Sequence, residues 1–202
     1  MSKYLGPIHF WLYGKITGQN ELTKEIWELC GDQIPDLKET VTSKYGNFSG
    51  LPLEESVDEG NIHGWLQERV SEAEYRLAAT LKLIQEKSPK MQDKVEELCY
   101  QKGRSLASQE EEEGPYAVYK IMNDRLLDGM PCDHAYTLVS RTEEQVVFER
   151  NICTHREYWE DVPGGTGLYY KCRDRFLEGI AEEKGLKYEK ITDTGVSVKK
   201  GA

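Results

Sequence analysis

The sequence predicts an α+β fold: an N-terminal helical layer packed on a small, mostly antiparallel sheet, with a C-terminal helix. Three observations predict it. Apolar residues recur at three- and four-residue steps before residue 110, and short runs rich in valine, threonine and aromatics follow residue 134. Between them, Glu110-Glu111-Glu112-Glu113 and then Gly114-Pro115 mark a solvated junction where the character changes. A chain of 202 residues can bury a core without disulfide or metal. It reads as a single domain over 1–202, with a helical part at 1–109 and an α+β part at 114–202.

Upstream of the junction, residues 7–16 and 20–30 read as two helical stretches, broken at Gly18 and Gly31. Residues 46–60, with Gly46, Gly50, Pro52 and Gly60, read as a long loop. The clearest helix follows Asn61 as N-cap, with Ile62, Leu66, Val70, Ala73, Leu77, Leu81 and Ile84 on one face. Ser88-Pro89 closes it and opens a second long helix striped by Met91, Val95, Leu98 and Leu106. The tight joint predicts that these two helices pack as an antiparallel pair.

Downstream, residues 116–127 read as a helix stopped by Gly129 and Pro131. Residues 135–141 and 145–152 read as a hairpin around Thr142-Glu143-Glu144. After the loop Pro163-Gly164-Gly165-Thr166-Gly167, the spacing of Leu168, Cys172, Phe176 and Ile180 predicts a helix. Residues 188–191 and 196–198 add two short strands around Thr192-Asp193-Thr194-Gly195.

Composition excludes several functions. A net charge of -10 opposes nucleic acid and an anionic membrane surface, and no basic stripe offsets it. The start, Met1-Ser2-Lys3-Tyr4-Leu5-Gly6-Pro7, is not a basic segment followed by an apolar run. With five cysteines at wide spacing, that predicts reduced thiols and a cytoplasmic location.

Two Cys-x-His units, Cys132-Asp133-His134 and Cys153-Thr154-His155, flank the hairpin. Thiolate and imidazole suit zinc or iron, and the four residues can complete a tetrahedral site. Register decides whether they meet. A two- or four-residue turn centred on Glu143-Glu144 sets His134 opposite Cys153, with all four ligands on one face. A three-residue turn sends the units to opposite faces, and the apolar pairs Leu138–Phe148 and Val139–Val147 prefer it.

Cys153 alone is a candidate nucleophile, with His155 two residues on and His134 across the hairpin. Cys172 has the basic neighbours Lys171, Arg173 and Arg175, yet its helical spacing favours the core, as it does for Cys30 and Cys99. Gly164, Gly165, Thr166 and Gly167 could offer backbone N–H groups to a ligand's carboxylate or phosphate; a plain turn with Thr166 as N-cap is the simpler account. His63, Glu68, Glu72 and Glu74 are read as one salt-bridged, solvated face with Arg69, Arg76 and Lys82, and His9 as packed among aromatics.

The order of a strand pair ending in Cys153, a glycine-containing segment, Cys172-Arg173-Asp174 on a helix and a final hairpin at Gly195 covers about residues 130–198. It resembles the tail of the L-2-amino-thiazoline-4-carboxylic acid hydrolase-like family of bacterial proteins. The resemblance implies N-terminal helices with a C-terminal α+β part and hydrolysis of a small cyclic C–N bond. It singles out Cys153, Cys172 and Asp174. The chain departs from the family on the last strand, where Val196-Ser197-Val198 stands in place of an expected cysteine.

Three functions stay open. The first is a cytoplasmic small-molecule hydrolase with Cys153 as nucleophile, His155 or His134 as base, Asp174 orienting a partner and the glycine loop holding a carboxylate. The second is a non-catalytic protein that binds a small molecule, metal or cofactor. The third is an interaction protein that forms a homodimer through the stripe from Ile62 to Ile84.

Overall fold

The computed structural model describes residues 4–163 and 165–201 and is an α+β fold of seven α-helices and four strands among those residues. Helix α1 (Pro7–Cys30) opens with Pro7 at its first position, where a missing N–H costs nothing. It runs unbroken through Gly14 and Gly18, so the break expected at Gly18 is not made. A helical glycine costs only about 1 kcal/mol, and the face carrying Leu12, Ile16, Thr23, Ile26 and Cys30 recovers more by burial.

Helix α2 (Leu37–Tyr45) buries Leu37 and Val41. The expected loop at 46–60 holds one helical turn, α3 (Leu53–Ser56), pinned by buried Leu53. Helix α4 (Ile62–Lys87) begins where Asn61 Oδ1 accepts the Gly64 N–H at 3.2 Å. Its whole predicted stripe is buried against α1 and α2. That stripe is spent inside the fold and presents no dimer face.

Helix α5 (Gln92–Ala107) departs from expectation. Its principal partner is α7 (Gly167–Glu183), not the preceding α4. The reason is a glycine crossing. A Cβ on Gly103 would stand 2.1 Å from the Phe176 carbonyl oxygen, and one on Gly179 2.1 Å from that of Tyr100. Two residues without side chains bring the backbones together more closely than any other pair could.

Helix α6 (Pro115–Arg125) covers one face of the sheet. Strands β1 (Tyr136–Arg141), β2 (Gln145–Arg150), β3 (Leu186–Lys190) and β4 (Gly195–Lys200) run antiparallel in the order β1-β2-β4-β3. Thr142 N–H bonds to Gln145 O at 2.8 Å, so the hairpin turns on Glu143-Glu144 and pairs Arg141 with Val146. Between Leu138 and Ser140 the register slips, and Leu138 then faces Phe148. Turn chemistry and apolar pairing asked for registers one residue apart. A bulge at Val139 reconciles the turn with the Leu138–Phe148 pair, but the expected Val139–Val147 pair is not made: Ser140 faces Val147 and Val139 is left 56% exposed.

One apolar cluster extends from Ile26 to Val198 and joins the helices to the sheet. A smaller one lies under the N-terminal half of α1 with Leu53, Leu66 and Val70. Among the described residues, no helix is long and apolar enough to cross a membrane.

Candidate functional site

Where α1, α4, α7 and the segment after α6 meet, the interior is charged. Glu74 belongs to the inner face of α4, one turn from Val70 and from Leu77, and is 1% exposed. His155 precedes a short 3-10 turn (Arg156–Trp159), is itself 1% exposed, and packs its imidazole against the Tyr169 ring. His155 Nδ1 lies 3.0 Å from Glu74 Oε2, and its Nε2 lies 3.5 Å from Asp128 Oδ1. Arg173 on α7 clasps Asp128 with two N–H donors at 2.8 and 3.0 Å, and reaches the Tyr169 hydroxyl at 3.3 Å. Gln19 on α1 donates to the other Glu74 oxygen at 2.9 Å.

Two carboxylates thus balance an imidazolium and a guanidinium in the interior. Burial opposes charge on His155, but Glu74 and Asp128 outweigh it and hold the imidazole pKa up at about 9. Burial likewise pushes Asp128 up, but Arg173 and His155 bring its carboxyl down to about 2. His155 and Arg173 are therefore cationic and Asp128 anionic near neutral pH. Such a cluster is costly to desolvate and strongly unfavourable to leave half-paired.

The chain opens a cavity on each side of this partition. One, of about 300 Å³, is mainly apolar and lies among α1, α4, α5 and α7, with Tyr169, Arg173 and Gln19 at the partition. Gly14, Thr17 and Gly18 form one wall, and Leu77, Leu81 and Phe176 face it. A Cβ on Gly18 would meet nothing nearer than the Arg125 carbonyl at 3.9 Å, so the missing side chains leave open space. The other cavity, of about 220 Å³, is polar and includes Lys15, Asp128, Tyr136 and Asn123.

The sequence-predicted residues are not gathered here as expected. Cys153 is half-buried, and its Sγ accepts the Tyr170 O–H at 3.2 Å. Burial raises that thiol, but the Tyr170 hydroxyl, the His155 backbone N–H, the imidazolium and Arg150 together bring it below the ordinary value. The His155 imidazole contributes as a charge and not as a base, because both its nitrogens face carboxylates. His134 is exposed in a left-handed turn (φ 48°) beyond the end of β1, beside exposed Cys132. The ladder ends at Tyr136 and Arg150, short of both Cys-x-His units, so the four proposed ligands Cys132, His134, Cys153 and His155 do not converge. Among the described residues no group of three His, Cys, Asp or Glu is placed to hold a metal ion.

Asp174 is a brace between helix and sheet: Tyr188 donates to it at 2.7 Å and Lys190 at 2.8 Å. Cys172 is buried against Cys99, and that contact, with burial, drives its pKa well above the thiol range. Gly164 lies outside the described residues. Gly165 has φ +58° and donates its N–H to Val162 O at 2.8 Å, while Thr166 and Gly167 lead into α7 without a side-chain cap. This is the turn reading, with the Gly165 N–H already committed inside the chain. His9 accepts the Gly6 N–H on Nδ1 at 2.9 Å, so its other nitrogen carries the proton and donates to His63 Nε2 at 3.1 Å.

Glu74 and Arg76, expected on a solvated face, are both 1% exposed. Arg76 donates to Asn20 at 2.9 Å and to the Tyr45 carbonyl at 2.8 Å, while its other terminal nitrogen has no partner among the described residues. The readable signal was a charge at an apolar step: Glu74 between Val70 and Leu77, Arg173 between Tyr169 and Phe176, Lys15 beside Leu12 and Ile16. Asp128 gave no such signal, since it lies in the turn before Gly129.

No protein-family model matches this chain, and no curated protein or solved structure matches it.

Proposed function

We propose that this is a small-molecule binding protein of the cytoplasm whose ligand occupies the apolar cavity between α1, α4, α5 and α7. One observation carries the reading: an apolar space of about 300 Å³ ends on a preformed polar wall. Cavities of this size and lining are the usual sites of small ligands. Tyr169 receives the Arg173 N–H, and its own hydroxyl proton has no acceptor among the described residues. The ligand class that fits is an apolar molecule with one hydrogen-bond acceptor. The cytoplasmic location is supported by five unpaired cysteines, two of them side by side.

The test is native mass spectrometry of gently isolated protein, with titration by the apolar dye N-phenyl-1-naphthylamine. Saturable binding, abolished in a folded Gly18→Leu variant, supports the reading. Binding that survives this filling of the cavity overturns it.

A second reading, hydrolysis at Cys153, is supported by the lowered pKa of its thiol. The activating groups in that reading are Tyr170, the His155 backbone and Arg150, with no general-base imidazole. Slow alkylation of Cys153 at neutral pH, no faster than that of exposed Cys132, would remove it.

A further inference from the structure

The polar cavity on the far side of the partition holds a lysine that the fold has not neutralised. Lys15 is 5% exposed, yet among the described residues it makes no ion pair; its Nζ lies 3.7 Å above the Trp11 ring. The two carboxylates whose charge it feels, Asp128 and Asp124, are engaged elsewhere. Asp128 is clasped by Arg173, and Asp124 accepts from Lys120 at 2.9 Å and from the Trp11 indole at 3.1 Å. Burial, aided by the charge of Arg173 and opposed by the two acids, lowers the amine pKa to about 8. A buried amine deprived of a dedicated counter-ion is the arrangement in which lysine becomes a nucleophile.

Facing the same space, Tyr136 is kept neutral by burial, its pKa pushed up to about 12. Its hydroxyl has no hydrogen-bond partner among the described residues, which leaves a donor for an incoming oxygen.

We propose that Lys15 is an imine-forming amine that takes the carbonyl group of a small, neutral hydroxy-aldehyde or hydroxy-ketone in the polar cavity. The Nζ lone pair forms the C–N bond while the carbonyl oxygen takes the Tyr136 hydrogen bond. The two amine hydrogens leave with that oxygen as water, and the C=N bond remains. Protonated, the imine keeps the positive charge over Trp11 and near Asp128 that the ammonium had. The ligand is neutral because a carboxylate would face Asp128, and Arg173, the guanidinium beside that acid, is already clasped to it. A hydroxyl on the ligand is matched by Asn123 and Asp128. The proposal is independent of whether the apolar cavity is filled.

The experiment is reductive trapping. The full chain is incubated with glycolaldehyde and sodium cyanoborohydride near neutral pH, then peptide-mapped by mass spectrometry. A lysine with pKa about 8 has far more free amine there than an exposed one, so Lys15 should be labelled on the order of tenfold faster than any exposed lysine. Tyr136→Phe should slow labelling at Lys15 alone, and Lys15→Met should abolish the fast adduct. If Lys15→Met does not fold, the wild-type map decides by itself. Labelling spread over exposed lysines with Lys15 no faster overturns the proposal. Glyoxylate trapped as readily as glycolaldehyde overturns the neutral-ligand class.

Discussion

Helix α7 does two different things along its length. Its C-terminal half is joined to α5 through Gly103 and Gly179, backbone against backbone, with no room for a methyl group. Its N-terminal half presents Tyr169 and Arg173 to a charged partition with space on either side. The comparison teaches where rigidity is placed. A crossing with no side chains fixes the helix axis, and from that axis long side chains reach partners on other elements. The cavities exist because the partition's atoms are held by charge and hydrogen bonds and do not need dense packing on every side.

Breaking the partition should have the largest effect. Arg173→Met leaves Asp128 buried with its main counter-charge gone, and the loss should be about 3–5 kcal/mol in urea unfolding. Should Arg173→Met prove as stable as wild type, the cluster is not the buried, paired structure described. Glu74→Gln should cost less, since Gln19 and His155 can still find polar partners.

The pH dependence sharpens the same point. The His155 pKa is raised from 6.5 to about 9 in the fold, so its stabilisation is complete below pH 6.5 and is lost as pH rises through 9. Lys15, lowered to about 8, is charged in both states below that pH, and the lowered Cys153 thiol gives a slope of the opposite sign, so the fall between 6.5 and 8 comes from His155. Stability should fall by about 2 kcal/mol across it. A flat profile in wild type, or an equal slope in His155→Gln, would count against an imidazolium at this position.

At the crossing, Gly103→Ala should cost about 1–3 kcal/mol, because the new methyl meets a backbone carbonyl that cannot rotate away. Thermal unfolding would measure it, and a neutral result would mean that α5 and α7 can slide apart freely. The smallest effect is expected at the cavity wall. Gly18→Leu places a side chain in open space and replaces a helical glycine, so it should raise stability by up to about 1 kcal/mol while removing dye binding. Loss of stability there would show the wall to be packed.

Much of the fold was legible in the chain. The α4 stripe, its Asn61 cap, the α7 stripe and both hairpins were readable because each rests on local periodicity or turn chemistry. The α5 partner was not, because periodicity shows that a helix has a buried face but not what covers it. Gly103 and Gly179 lie inside helices, and only their meeting at the crossing shows what they are for. The candidate site was less legible than the fold. Cys153 and His155 drew notice as reactive residue types two apart, yet the imidazole turned inward to Glu74 and Asp128, which lie far from it in the chain.

The sequence by itself determined the α+β class, the net negative charge, the apolar stripes of α4 and α7 and the strands of the two hairpins, since spacing, caps and turns act between neighbours. Tertiary structure alone decided the hairpin's compromise register, the pairing of α5 with α7, and the meeting of Lys15, Glu74, Asp128, His155 and Arg173. Burying a charge is tolerable only when a partner arrives from another element, and that partner's identity is set by how the chain closes in three dimensions.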